Sequence, residues 1–306
     1  MEQVLFNLAI FAFSLFFLLK ASDFFVEAAE KIGLSMGIPP FIIGVTIVAF
    51  GTSLPELISS IEAVLIGDSK IVIGNVVGSN IANIALVLGL VAVVGKQVKV
   101  NEHIMNVDIP ILVTSAFLLC FVVYDQEVTL FEAFILLVAL VIFLVYSLNN
   151  DDGEETEKIA VSWKSYAILV VAGIAIKFSA EYTIKSVIEL SKLLNIGSDV
   201  IAASVVALGT SLPEVFVSLA AIKRGKTDMA VGNILGSNIF NTYAVMSIPA
   251  FVGTLVIPDN ILEFALPFML ALTIVFAVMC ISKKISRWEG MMLLLFYVLF
   301  MVELFT

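Results

Sequence analysis

Residues 51–56 read Gly-Thr-Ser-Leu-Pro-Glu, and residues 209–214 read Gly-Thr-Ser-Leu-Pro-Glu again. Both copies lie inside long apolar runs. An ionised side chain at the centre of a membrane helix costs roughly 2.5–3.5 kcal/mol on insertion scales, and a proline interrupts the helical hydrogen bonds. The chain carries a glutamate at that cost twice, each time beside a proline. This combination indicates a cation site built from two interrupted membrane helices.

The composition predicts an all-α integral membrane protein. Hydrophobic residues make up 61% of the 306 residues and charged residues 14%, and a soluble domain of this length could not bury so much apolar surface. A membrane-spanning helix needs about 20 apolar residues, and ten such spans can be placed. Their approximate bounds are 4–30, 40–66, 71–94, 104–124, 128–147, 164–192, 199–222, 228–256, 260–281 and 287–305.

The chain is a tandem repeat with an offset of 158 residues. This offset places residues 51–56 on 209–214 without a gap, and it aligns GNVVGSNIAN at 74–83 with GNILGSNIFN at 232–241. Each half holds five predicted spans. Because five is odd, the second half enters the membrane from the opposite side, which gives the two inverted-topology repeats of five helices that are typical of secondary transporters.

The halves meet in a short acidic segment. We predict a first repeat at 1–148, an acidic cytoplasmic linker at 149–163 and a second repeat at 164–306. The linker contains Asn-Asn-Asp-Asp-Gly-Glu-Glu-Thr-Glu, whose spacing is not that of an EF-hand loop. A solvated linker is therefore the preferred interpretation.

Loop charges predict the orientation in the cell membrane. With the N-terminus outside, the cytoplasmic loops hold eleven basic residues and the outer loops hold only Lys70 and Lys192. Basic residues concentrate in cytoplasmic loops, so both termini are predicted to be extracellular. The net charge of −10 argues against nucleic acid as a partner.

The first motif groups oxygen ligands on one face of a helix. Thr52 and Ser53 lie four and three residues before Glu56, and such positions share a helix face. The Pro55 ring has no N–H and clashes with the carbonyl four residues earlier, so we expect carbonyls around residues 49–52 to be released from the helix. Released carbonyls must line a protein-enclosed or wet cavity. Carbonyl, hydroxyl and carboxylate oxygens suit hard cations such as Ca²⁺ and Na⁺.

The second repeated segment can complete the ligand shell. Ser79 and Asn83 are one helical turn apart, as are Ser237 and Asn241, so each pair can add a hydroxyl and an amide oxygen. The glycines in the same segments are spaced by four, which allows close helix packing in membranes. Packing is the preferred interpretation for these glycines, which are Gly74, Gly78, Gly232 and Gly236.

With both motifs present twice and in order, the chain resembles the cation/calcium exchanger superfamily, and within it the compact prokaryotic sodium/calcium exchangers. The resemblance covers nearly the whole chain. It implies exchange of Ca²⁺ for Na⁺ by alternating access, with the first and sixth helices sliding against the rest. It also implies a midplane site whose ligands are Glu56, Thr52, Ser53, Ser79, Asn83 and the Ala49 carbonyl, with Glu214, Thr210, Ser211, Ser237, Asn241 and the Ala207 carbonyl.

One position departs from the family pattern. Sodium/calcium exchangers often carry an aspartate where this chain has Asn241, and Asn83 is also neutral. Two ionised glutamates give the site a charge of −2, which one Ca²⁺ or two Na⁺ would balance. A third Na⁺ would leave a charge of +1, so the departure opens the question of stoichiometry.

Several alternatives stay open. A calcium/proton antiporter or a potassium-dependent sodium/calcium exchanger could use the same fold, and a passive channel is a further possibility. An intramembrane enzyme would need a nucleophile–base pair or metal ligands at depth, but the only histidine, His103, is in a predicted loop. We expect no resident cofactor and no obligatory protein partner beyond the lipid bilayer and the transported ions.

Overall fold

The computed structural model describes residues 2–101, 104–149, 161–193 and 211–304. His103, most of the predicted acidic linker, and two expected ligands, Thr210 and Ala207, lie outside these ranges. The described residues are almost entirely helical, with ten continuous helical segments. Their bounds are α1 Glu2–Ser35, α2 Pro40–Leu65, α3 Lys70–Gly95, α4 Ile104–Val122, α5 Leu130–Asn149, α6 Trp163–Leu193, α7 Leu212–Lys223, α8 227–250, α9 Ile261–Cys280 and α10 Arg287–Leu304.

Seven of the described helices are long and apolar enough to cross a membrane: α1 to α6 and α9. The protein is therefore an all-α, multi-pass membrane protein. Burial separates an inner from an outer layer of helices. The apolar part of α3 is 78% buried, whereas that of α1 is only 17% buried. Large side chains such as Phe13, Phe16 and Val171 point outward from α1 and α6, as expected of helices that face lipid.

Four short strands join the helix ends. β1 (Gln97–Lys99) pairs antiparallel with β4 (Lys284–Ser286), and β2 (Glu127–Val128) pairs antiparallel with β3 (Leu255–Val256). Each ladder thus takes one strand from each half of the chain. The β3 ladder also corrects the predicted eighth span of 228–256, because α8 ends at Ala250 and the chain then turns into the strand.

Capping residues fix where two of these helices begin. The backbone N–H of Thr129 donates to Glu132 Oε2 at 2.8 Å, and the N–H of Glu132 donates back to the Thr129 hydroxyl at 3.3 Å. Ser286 and Glu289 repeat the arrangement at 2.7 and 3.3 Å. Each pair is a capping box, which satisfies two of the free N–H groups at a helix start. These two capping boxes therefore place the first turns of α5 and α10 directly after β2 and β4.

Several helices contain a widened, π-helical turn. Three of these turns, Ile104–Asp108, Asn241–Val245 and Ile261–Ala265, precede prolines at 110, 249 and 267. A proline ring clashes with the carbonyl four residues earlier, and in all three helices that carbonyl falls within the widened turn. The turns therefore accommodate prolines without ending the helices.

Glycines bring α2 and α8 into backbone contact. A Cβ atom added at Gly236 would lie 2.3 Å from the Val45 carbonyl oxygen, and one at Gly44 would lie 2.3 Å from the Met229 carbonyl oxygen. Gly232 makes the same kind of contact with Phe41. The packing interpretation is thus confirmed for the glycines at 232 and 236. At Gly74 and Gly78 the prediction is wrong, because no described atom outside the local helix backbone lies within 4 Å of the added Cβ.

We expect Gly236→Ala to destabilise the protein by about 1–3 kcal/mol, the usual effect of overpacking a tight contact. The added methyl group meets the backbone of α2, which cannot move aside as a flexible side chain would. The matched control is Gly173→Ala in α6, where the nearest atom, on Phe25, would lie at an ordinary 3.5 Å. Thermal unfolding in detergent would measure both, and equal melting temperatures would contradict the prediction.

Candidate cation site

The motif in α2 buries three polar side chains on one face. Thr52, Ser53 and Glu56 are 2%, 0% and 1% exposed. The predicted break at Pro55 is wrong, because the α-helix runs unbroken from Ala49 to Leu65. A proline removes only one helical donor, and packing on α8 holds the remaining residues in place. The irregular turn of α2 lies earlier, at Gly44–Val48.

The second motif lies at the start of α7. Glu214 is in the first turn of this helix, after Ser211 at the N-cap position, and both side chains are buried. An acidic side chain at a helix N-terminus interacts favourably with the helix dipole. The carboxylate of Glu214 therefore has a local stabilising interaction that Glu56, in the middle of α2, lacks.

The serine and asparagine pairs of α3 and α8 are buried beside these motifs. Ser79 and Ser237 each precede an asparagine by one helical turn. Asn83 and Asn241 are fully buried, and each begins a widened turn, at Asn83–Leu88 and Asn241–Val245. Widened turns are frequent at functional sites because they leave backbone groups partly unpaired.

Side chains from the two halves meet at Thr52. Its hydroxyl oxygen lies 3.3 Å from Ser237 Oγ and 3.2 Å from Asn233 Oδ1, and both partners are on α8. Glu56 and Glu214 are close enough for their charges to repel each other. The hydroxyls of Thr52 and Ser53 lie beside the Glu214 carboxylate. The tertiary structure thus gathers both motifs into one cluster.

Much of this cluster has no hydrogen-bond partner in the part of the chain that the structure describes. The atoms concerned are both carboxylate oxygens of Glu56 and of Glu214, the hydroxyls of Ser53 and Ser211, and the side-chain amides of Asn83 and Asn241. A buried polar group without a partner usually costs about 1–3 kcal/mol, and more when it is charged. A bound cation would satisfy the oxygens, and the two carboxylates would neutralise the cation.

The donor set fits a hard cation. Among the described residues, no three His, Cys, Asp or Glu side chains are close enough to form a metal-binding group. The cluster instead offers two carboxylates surrounded by hydroxyl and amide oxygens. Ca²⁺ accepts six to eight oxygen ligands of these types.

A second layer of residues was not predicted as part of the site. Asn75 and Asn233 lie behind the hydroxyls of Ser79 and Thr52, and their amides donate to Ser60 and Ser218. The repeat offers a signal that could have identified them, because both pairs recur at the same offset of 158 residues. Sequence alone did not indicate that they contact Ser79 and Thr52.

Comparison with known proteins gives the family. The family model described as "Sodium/calcium exchanger protein" matches residues 6–149 and 164–306. The chain belongs to this family. The relatives MaX1 and NCX_Mj are named as sodium/calcium exchangers, so this family member is a transporter and not an enzyme.

Individual relatives match along nearly their whole length. Sodium/calcium exchanger MaX1 of Methanosarcina acetivorans is 33% identical, with 98% of each chain covered. Inner membrane protein YrbG of Escherichia coli K12 is 29% identical, covering 94% of this exchanger-family chain and 92% of YrbG. The structure of the sodium-calcium exchanger NCX_Mj soaked with zero Na⁺ and Ca²⁺ superposes with a TM-score of 0.85 at 28% identity. It covers 98% of this chain and 99% of NCX_Mj.

We expect Glu56→Gln to raise the melting temperature in cation-free buffer by about 2–4 °C, the shift that ~1 kcal/mol gives in a chain of roughly this size. The substitution removes one of two buried charges that repel each other, while the helix and its packing stay intact. The control is Glu62→Gln, since Glu62 is exposed on α2 and its replacement should change nothing. A lower melting temperature for Glu56→Gln would contradict the prediction.

Proposed function

We propose that this protein is a secondary antiporter that exchanges Ca²⁺ for Na⁺ across the membrane. The observation that carries the proposal is the pair of buried carboxylates, Glu56 and Glu214, which repel each other and have no hydrogen-bond partner among the described residues. The family, and the printed names of MaX1 and NCX_Mj as sodium/calcium exchangers, support these two ions as substrates.

The proposed ion ligands come from both halves. Glu56 and Glu214 are shared between the two kinds of ion, so Ca²⁺ and Na⁺ compete and occupy the site in turn. One Ca²⁺ or two Na⁺ would balance the two ionised carboxylates. The other proposed ligands are the side chains of Thr52, Ser53, Ser79, Asn83, Thr210, Ser211, Ser237 and Asn241 and the carbonyls of Ala49 and Ala207.

The strand pairing supports two inverted repeats of five spanning helices. Shifting β1 by 158 residues places it on β3, and shifting β2 places it on β4. The β1–β4 ladder therefore becomes the β3–β2 ladder when the halves are exchanged. A pseudo-two-fold axis between the halves, with an ion site near it, is the arrangement expected of such transporters.

An asymmetry between the halves supports alternating access. α1 packs along α7, and ion pairs join it to the turn after α7, with Arg224 Nη2 at 2.7 Å from Glu27 Oε2 and Lys226 paired with Glu30. The repeat-related contact between α6 and the second half of α2 is much smaller. We infer that the transport cycle includes a second conformation in which the two contacts are reversed. In that conformation α6 packs closely on α2, and α1 has moved away from α7.

The orientation rests on loop charge. The excess of basic residues in alternate loops favours a cell-membrane protein with both termini outside. In that orientation the Glu27–Arg224 and Glu30–Lys226 pairs lie on the cytoplasmic side. The structure would then represent a form in which α1 closes the cytoplasmic approach along α7.

Two other couplings use the same site. Protons could replace Na⁺ at Glu56 and Glu214, which would make the protein a calcium/proton antiporter. Potassium coupling is the other candidate, because mouse sodium/potassium/calcium exchanger 4 is 29% identical over 129 residues, which is 42% of this chain. Passive flux of Ca²⁺ alone would instead identify a channel.

The deciding experiment is Ca²⁺ uptake into sodium-loaded proteoliposomes diluted into sodium-free buffer. We expect uptake to require internal Na⁺ and to fall at least tenfold in Glu56→Gln and Glu214→Gln, because each loses one of the two charges that neutralise Ca²⁺. Glu62→Gln is the matched control on α2 and should transport normally.

The same vesicles distinguish the alternatives. Uptake driven by a pH jump without Na⁺ would contradict sodium coupling in favour of protons, and a requirement for K⁺ would identify the potassium-coupled variant. Flux down the Ca²⁺ gradient with no counter-ion would identify a channel. Dependence of sodium-driven uptake on membrane potential would indicate more than two Na⁺ for each Ca²⁺.

A further inference from the structure

Behind the proposed ligands lies a pair of Asn–Ser hydrogen bonds that recurs in both halves. Asn75 Nδ2 donates to Ser60 Oγ at 3.0 Å, and Asn233 Nδ2 donates to Ser218 Oγ at 2.9 Å. Both residues of one pair lie 158 positions from those of the other. Ser60, Ser218 and Asn233 are fully buried. The structure thus builds the same buried contact twice from the two copies of the repeat.

These hydrogen bonds fix which way each amide points. The amino group of Asn75 also lies 3.2 Å from the Glu56 carbonyl oxygen, which can only accept a hydrogen bond. The amide oxygen of Asn75 must therefore face the other way, where Ser79 Oγ lies at 3.5 Å. In the second half the amide oxygen of Asn233 faces Thr52 Oγ1 at 3.2 Å.

The direction of the Asn233 amide presents its oxygen as an acceptor to the Thr52 hydroxyl. A hydroxyl has one hydrogen to donate and two lone pairs. Four acceptors are in reach of Thr52: Asn233 Oδ1, the Ala49 carbonyl at 3.3 Å, Ser237 Oγ at 3.3 Å and the neighbouring Glu214 carboxylate. A hydrogen donated to the Ala49 carbonyl or to the Glu214 carboxylate would occupy an oxygen that the proposed ion site needs. A hydrogen donated to Asn233 leaves both of these oxygens and the Thr52 lone pairs available to a cation.

We propose that Asn75 and Asn233 are positioning residues. Their amide oxygens accept hydrogen bonds from the hydroxyls of Ser79 and Thr52, which directs the lone pairs of these proposed ligands toward the ion. Ser60 and Ser218 hold the two amides in the required orientation. Such support of first ligands by an outer layer is general in metal sites. This inference rests on the proposed function, because it assumes that Thr52, Ser79 and the Ala49 carbonyl bind the transported cation.

The test uses sodium-driven Ca²⁺ uptake by the full-length protein. Ser218→Ala removes the anchor of Asn233 without changing any proposed ligand. We expect the KM for Ca²⁺ to rise about fivefold, the effect of losing one hydrogen bond, with little change in the maximum rate. Ser60→Ala should have a smaller effect, because Asn75 keeps its bond to the Glu56 carbonyl. Ser115→Ala is the control, since the buried Ser115 hydroxyl binds Leu112 within α4.

A double-mutant cycle separates positioning from general destabilisation. If Ser218 acts only through Asn233, Ser218→Ala should raise KM in the wild type but not in the Asn233→Ala background. Additive effects, or an unchanged KM in Ser218→Ala, would overturn the proposal. If Asn233→Ala does not fold, the same cycle is measured with Ser60→Ala and Asn75→Ala, since Asn75 is only part-buried. Non-additive effects on KM would again support the proposal, and additive effects would overturn it. Absence of sodium-driven uptake in the wild type would instead overturn the proposed function.

Discussion

Two buried carboxylates that repel each other are the constraint on which the rest of the site depends. Glu56 and Glu214 are each 1% exposed, and the described residues provide neither with a hydrogen-bond partner. Removing an ion from water without a partner is costly, and the cost occurs twice in one place. The surrounding helices must therefore be held together by other contacts. A bound cation would offset the free-energy cost of burying the two carboxylates. The structure accordingly places apolar packing around the site and neutral oxygens within it.

Close packing of α2 on α8 supplies the contact that holds the two halves together at the site. Gly44, Gly232 and Gly236 let the two backbones touch, and in a membrane such van der Waals packing replaces the hydrophobic driving force that acts in water. The contact places Thr52 against the α8 residues Asn233 and Ser237. The spacing of a few glycines therefore determines whether the Thr52 hydroxyl from one repeat reaches the polar side chains of the other.

The two halves share a sequence repeat but not identical contacts. The strand ladders and the Asn–Ser pairs are reproduced at an offset of 158 residues. The outer helices differ, because α1 packs along α7 and forms ion pairs with the following turn, while α6 makes a much smaller contact with α2. The repeat symmetry thus holds for the strand ladders and the Asn–Ser pairs, and the two long helices α1 and α6 depart from it.

The sequence by itself determined the helical membrane class, the repeat and most of the clustered residues, because helical spacing places Thr52, Ser53 and Glu56 on one face and duplication supplies their partners. It placed most described helix ends within a few residues. Only the tertiary structure decided that α2 continues through Pro55 and that α8 stops at Ala250, because inter-helix packing and the β2–β3 ladder overrule local preference. The Asn75 and Asn233 contacts also required the fold, since their partners are fifteen or more residues away.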